Sequence, residues 1–76
     1  MVTAYVLATL KVGAEREVRE KLKHIPQVKD VNILYGEYDA IIKIELDGIS
    51  ELSDFILDKI RAISAIEKTT TLIVAG

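Results

Sequence analysis

Apolar and polar residues alternate from the start of this chain. In VTAYVLATLK (Val2 to Lys11), Val2, Ala4, Val6, Ala8 and Leu10 share one parity, and Thr3, Tyr5, Leu7 and Thr9 share the other. A period of two, rich in β-branched residues, predicts a strand with one small apolar face and one mixed face. Gly13 breaks the run and the period changes. In AEREVREKLKHI, Ala14, Val18, Leu22 and Ile25 are spaced 4, 4 and 3, which lays one apolar stripe along a helix. Glu15 with Arg19 and Glu17 with Lys21 stand four apart in the favoured order on its polar side. Pro26 disfavours helical geometry at Ile25 and stops the helix.

Alternation returns in VKDVNILYG (Val28 to Gly36), with Val31, Ile33 and Tyr35 on one side, and again in AIIKIEL, where Ala40, Ile42, Ile44 and Leu46 face one way. A short loop containing Gly36 joins the two, which predicts a hairpin. Asp47 and Gly48 end that strand, and Ser50 is the expected N-cap of a second helix. Leu52, Phe55, Ile56, Ile60 and Ile63 carry its apolar stripe, and Leu57 falls off the stripe as a candidate subunit contact. AIEKTTTLIVA closes the chain as a strand.

The order β-α-β, hairpin, α-β is a βαβ unit used twice. It predicts an α+β, ferredoxin-like βαββαβ fold, a four-stranded antiparallel sheet with two helices on one face. The other face stays uncovered. If Ala40, Ile42, Ile44 and Leu46 point to the helices, the far face still shows Ile41, with either Tyr5 and Leu7 or Val6 and Leu10 from the first strand. An apolar patch of this kind marks an interaction surface, so we expect two sheets to pack face to face in a twofold dimer.

Composition sharpens this expectation. The chain has 76 residues, half of them hydrophobic, and no cysteine. That is one domain (1–76), too small to build a large core alone, with no disulfide and no thiolate metal site to support it. Oligomerisation is the remaining route. With a net charge of −2 the chain shows no basic face for duplex nucleic acid. No apolar run is long enough to span a membrane and no secretory signal opens the chain, so a cytoplasmic location follows by default. His24, the only histidine, sits at a helix end beside Pro26, which suits a solvent-facing role. Asp54 and Asp58, one turn apart, read as a solvated face. No metal and no cofactor is implied.

The hairpin turn GEYD holds more than a turn requires. Gly36 lets backbone N–H groups swing toward a carboxylate, and Asp39 can accept from an ammonium group. Together they make the two ends of an α-amino-acid clamp. Thr69, Thr70 and Thr71 suit a strand, and hydroxyls on alternate residues can line a polar pocket.

GEYDAIIKI at the hairpin, LSDFILDKIRAI as second helix and IEKTTTLIV as last strand resemble the RAM domain. This is the effector-binding and assembly domain of the Lrp/AsnC (feast/famine) transcriptional regulators. The family's turn motif, Gly, any residue, Tyr or Phe, Asp, is matched by Gly36, Glu37, Tyr38 and Asp39. The resemblance covers essentially the whole chain, which starts directly at the first strand without the family's helix-turn-helix; it looks like a stand-alone RAM protein, and a DNA-binding role is not carried over. The resemblance implies sheet-to-sheet dimers, assembly into an octamer of four dimers, and a small amino acid bound between dimers. It points to Gly36, Tyr38 and Asp39, with Thr71 and Thr69, as effector-binding residues, and to full-length Lrp/AsnC regulators as assembly partners. Two other readings use the same fold. A small dimeric α/β-barrel enzyme would draw on Tyr5, Asn32 and Tyr35 inside a cavity between sheet and helices, and a purely structural assembly module would bind no ligand.

Overall fold

The computed structural model describes residues 1–76. Its elements follow the expected order: β1 (Val2–Leu10), α1 (Glu15–Lys23), β2 (Val28–Ile33), β3 (Ala40–Leu46), a second helical segment, and β4 (Ile66–Ile73). The four strands form one antiparallel sheet in the order β2-β3-β1-β4. The two outermost strands in sequence are thus neighbours, and β2 and β4 are the edges.

Parity decides the core. Ala4, Val6, Ala8 and Leu10 of β1 are buried, as are Ala40, Ile42, Ile44 and Leu46 of β3. Directly opposed residues share a face, and Val6 opposes Ile42 while Ala4 opposes Ile44. These residues meet Val18 and Leu22 of α1 and Phe55, Ile60 and Ile63 of the second helical segment and its exit. Val6, Val18, Leu22, Ile42, Ile44 and Ile60 reach zero exposure. No polar or charged residue is buried with them, so the layer between sheet and helices is an apolar core. The enzyme-like reading needs polar groups in that layer. Tyr5 and Asn32 stand on the opposite face, because Tyr5 opposes Lys43 and Asn32 opposes Ile41.

The open face is now settled. It carries Tyr5 and Leu7 from β1, Ile41 and Lys43 from β3, and Thr70 and Leu72 from β4. Leu7 sits between Ile41 and Thr70, and Tyr5 between Lys43 and Leu72, in two rows across the sheet.

Three local expectations need correction. The second strand stops at Ile33 rather than Gly36. The Leu34 amide still donates to the Asp39 carbonyl at 2.8 Å, in the register that pairs Ile33 with Ala40, and beyond it the amides of residues 35–38 make no ladder bond. Tyr35 therefore leaves the side of Val31 and Ile33 and projects fully into solvent.

Ser50 does not cap the second helical segment. Gly48 occupies the N-cap position with no side-chain bond, and Ser50 lies inside the first turn. That segment, residues 49–60, is compound. A 3-10 turn (Ile49–Glu51) leads into an α-helical stretch, α2 (Leu52–Phe55), and then a π-helical turn (Ile56–Ile60). Missing caps and several β-branched isoleucines, which are stiff in helices, leave packing rather than propensity to hold it.

On α1, Glu17 and Lys21 pair at 3.1 Å as expected, but Glu15 does not reach Arg19. Glu20 pairs with Lys23 at 3.4 Å instead. All four paired groups are more than half exposed, where such pairs contribute little.

Gly36 has φ 138° and no atom within 4 Å of where a Cβ would stand. Its replacement therefore meets backbone strain and no clash. Gly36→Ala is expected to destabilise the fold by about 1–3 kcal/mol. Gly48→Ala, at an extended backbone position with only the Ser50 hydroxyl nearby at 3.9 Å, is expected to change little. Urea unfolding of both variants checks the contrast.

Candidate functional site: the hairpin tip and the edge strand

Asp39 is held in three directions at once. Its amide donates to the Ala8 carbonyl and its carbonyl accepts from Leu34, both at 2.8 Å. Its side-chain Oδ2 accepts from the Leu10 amide, also at 2.8 Å. The main-chain ladder between β1 and β3 ends at Ala8 and Ala40. Asp39 continues it one step, with a carboxylate standing where a strand carbonyl would otherwise serve Leu10. The second oxygen, Oδ1, has no partner within the chain. A carboxylate held by its own bond to Leu10, on a residue whose main chain is fixed by two more, keeps one oxygen free and is pre-oriented to accept from a cation.

The preceding residues complement it. The amides of Tyr35, Gly36, Glu37 and Tyr38 donate to no acceptor in the chain. The positive φ of Gly36 turns the chain among them, and consecutive free N–H groups around such a turn suit an anion. The tip therefore offers donors and a carboxylate side by side, the complement of a zwitterion.

Tyr38 reaches across to β4. Its hydroxyl lies 3.1 Å from Thr70 Oγ1, with either atom able to donate. Thr70 opposes Leu7 on the open face, so Tyr38 lies over that face and ties the tip to the far edge. Thr70 was not among the expected site residues. The TTT run marked the stretch, but only the register says which hydroxyl meets Tyr38.

Thr69 and Thr71 go the other way. They oppose Ala8 and Val6, whose side chains face the helices. Both line a groove between β4 and the second helical segment. The five expected residues are thus not brought together in one chain. Gly36, Tyr38 and Asp39 form the tip, and Thr69 and Thr71 stand on the opposite face of the sheet. Among the other candidates, His24 follows α1 as its C-cap and is exposed. Asp54 and Asp58 are exposed, and no group of acidic or histidine side chains in the chain has the proximity to hold a metal. No helix is long and apolar enough to cross a membrane.

Comparison with known proteins places this geometry. Residues 3–75 match the family model described as the Lrp/AsnC ligand binding domain. The HTH-type transcriptional regulator FL11 of Pyrococcus furiosus is 36% identical over 73 residues, which are 96% of this chain and 48% of that protein. The chain spans about half the length of that relative. The crystal structure of FFRP-DM1 superposes with a TM-score of 0.94 at 47% identity, covering 99% of this chain and 100% of that one. The transcriptional regulator NMB0573 of Neisseria meningitidis, solved as an L-Met complex, has a TM-score of 0.90 over 99% of this chain and 50% of that one. At 17% identity, that last likeness speaks for the fold alone. From the match over nearly its whole length, the chain belongs to the Lrp/AsnC ligand binding domain family.

Proposed function

We propose that this chain is an amino-acid-binding regulatory module that assembles through its open sheet face. It senses small amino acids, or modulates full-length Lrp/AsnC transcription regulators by joining them in mixed assemblies. It is not an enzyme: the matching model is that of a ligand-binding domain, and its named relatives are transcriptional regulators. The observation that carries the ligand reading is the free Oδ1 of a rigidly held Asp39 beside four unpartnered amides. That pair of features answers the ammonium and carboxylate groups of an amino acid. The L-Met complex of NMB0573 shows that this fold holds an amino acid in that protein.

The split of the expected residues bears on assembly. Tyr38 and the tip address one face of the sheet, and Thr69 and Thr71 address the other. A cleft that uses both sets draws them from different copies. Sheet pairing builds the dimer by covering Leu7, Ile41, Tyr5 and Leu72. Contacts between dimers, four of them in the proposed octamer, then bring a tip of one copy to the last strand of another. Tyr38 forms a wall of the cleft and Thr71, with Thr69, offers hydroxyls.

Asp39 has a structural task and a ligand task, and two substitutions separate them. Asp39→Asn keeps an oxygen for the Leu10 amide and removes the charge. We expect its amino-acid affinity to fall at least about tenfold, the loss of one charge-assisted contact, with unfolding nearly unchanged. Asp39→Ala leaves the Leu10 amide without its acceptor and is expected to cost about 1–3 kcal/mol of stability as well. Calorimetry with the twenty amino acids, paired with thermal unfolding, reads both. Equal affinity in the Asn variant would take Asp39 out of the cleft.

The dimer reading makes a second prediction. Ile41→Lys places a charge at the centre of the open face, opposite Leu7 and Asn32. We expect this variant to sediment as a single chain at concentrations where the parent protein is at least dimeric. A parent protein that sediments as a folded single chain would end the assembly reading.

A further inference from the structure

A channel runs between α1 and the outer edge of β2. It consists of two hollows of about 470 and 580 Å³ that meet at Arg19, each within the range of small-molecule sites. Val28, Val31 and Ile33 form its half-buried apolar floor. Its rim is cationic, with Arg16, Arg19 and Lys23 on α1 and Lys29 on β2. Four of the ten lysines and arginines of a chain with net charge −2 therefore line one channel.

Helix geometry makes the row. Arg19 and Lys23 lie one turn apart on the flank of α1 that faces β2, and the Glu17–Lys21 pair lies on the other flank. Neither arginine has a carboxylate within 4 Å, because the two ion pairs of the chain are Glu17–Lys21 and Glu20–Lys23. The Lys29 Nζ donates to the Pro26 carbonyl at 3.1 Å, which holds it at one end. Two acidic residues lie along the channel. Asp30 shares the open face with Lys43 and accepts there from Asn32 at 3.3 Å. Glu15 stands at the helix start beside Arg16. No side chain caps that start, and the amides of Glu15, Arg16 and Glu17 donate to no acceptor in the chain. They add the positive end of the helix dipole to the two arginines.

From Arg16 to Lys23 the helix rises about 10 Å. A single phosphate cannot touch both ends of such a row, whereas a chain of phosphoryl groups can. We propose that this channel binds a linear polyphosphate of three or more phosphoryl groups, either free or as the tail of a nucleoside triphosphate. Arg19 grips its middle through paired N–H donors. Arg16 and the uncapped helix start hold one end, and Lys23 with Lys29 holds the other. The exposed Glu20–Lys23 pair is weak enough to exchange for a phosphate. The apolar floor keeps water from one side of the channel and strengthens each contact. No aromatic ring lines the channel to stack on a base, so recognition rests on the phosphates. The proposal is independent of the amino-acid reading, because Tyr38, Asp39, Thr69 and Thr71 all lie outside the channel.

The test is titration of the intact chain with tripolyphosphate, ATP, AMP and orthophosphate at one fixed ionic strength, read by two-dimensional NMR. Tripolyphosphate is expected to saturate shifts at Gly13, Arg16, Arg19 and Val31, with a dissociation constant on the order of 0.1 mM. Orthophosphate and AMP are expected to bind at least about tenfold more weakly. ATP as tight as tripolyphosphate supports a nucleotide source, and weaker ATP supports free polyphosphate. Arg19→Gln is expected to weaken tripolyphosphate at least about tenfold, and Arg19→Lys by less. Glu15→Gln is expected to tighten it about twofold. Lys21→Gln, which removes the same charge from the opposite flank of the same helix, and Asp39→Asn are expected to leave it unchanged. The same spectra report whether each variant is folded. Parental affinity in folded Arg19→Gln, an equal loss in Lys21→Gln, or orthophosphate binding as tightly as tripolyphosphate would overturn the proposal. So would a single-stranded oligonucleotide that shifts the same residues at lower concentration, since the channel would then serve a nucleic-acid backbone.

Discussion

Two short helices can cover one face of a four-stranded sheet and no more. Every feature of this chain follows from how it handles that limit. The side-chain period of a strand is two, so burying Ala4, Val6, Ala8 and Leu10 forces Tyr5 and Leu7 outward. A one-residue slip in β1 would invert this and bring Tyr5 and Thr9 into the core. The small residues of β1, all alanine or valine before Leu10, let helices approach the sheet closely. The cost of a tight core in so short a chain is an apolar residue left on the outside of each of the three central and last strands.

The tip and the groove are consequences of where the sheet ends. Asp39 stands one step beyond the last main-chain pair of β1 and β3, and its carboxylate finishes the ladder. A residue at that position is rigid because the sheet is rigid, yet one oxygen remains outside the network. The groove arises at the opposite kind of boundary, the free edge of β4, where a helix lies beside the sheet without closing on it. Polar chemistry in this molecule lies at the rims of an interior that contains none.

Element order, both apolar stripes and the buried parity of β1 and β3 were legible in the residues, because hydrophobic period reports local geometry directly. Gly36 was legible as the turn residue, and its φ bears this out. Four things were not. The early end of β2 lies in the loop, where the amides of residues 35–38 find no partner strand and the register stops at the Leu34–Asp39 bond. The compound second helix answers to core packing, which keeps Ile60 and Ile63 buried through a π turn that no period announces. The separation of Thr69 and Thr71 from Tyr38 depends on how β4 registers against β1, and a run of three threonines reads the same in either register. GEYD was legible as excess content, while the structural bond of Asp39 to Leu10, 29 positions away, was not.

One bond at the far end of the sheet carries a separate consequence. The Val74 amide donates to the Thr3 carbonyl at 2.9 Å, so the first and last residues emerge at a common corner. A short linker can therefore join them and new ends be opened in a loop, as circular permutation requires. Anything tethered to either end departs from that corner. The paired stretch of β1 from Thr3 to Ala8, about 17 Å long, separates it from the hairpin tip beyond. Cargo there is held a strand's length away from a molecule at the tip.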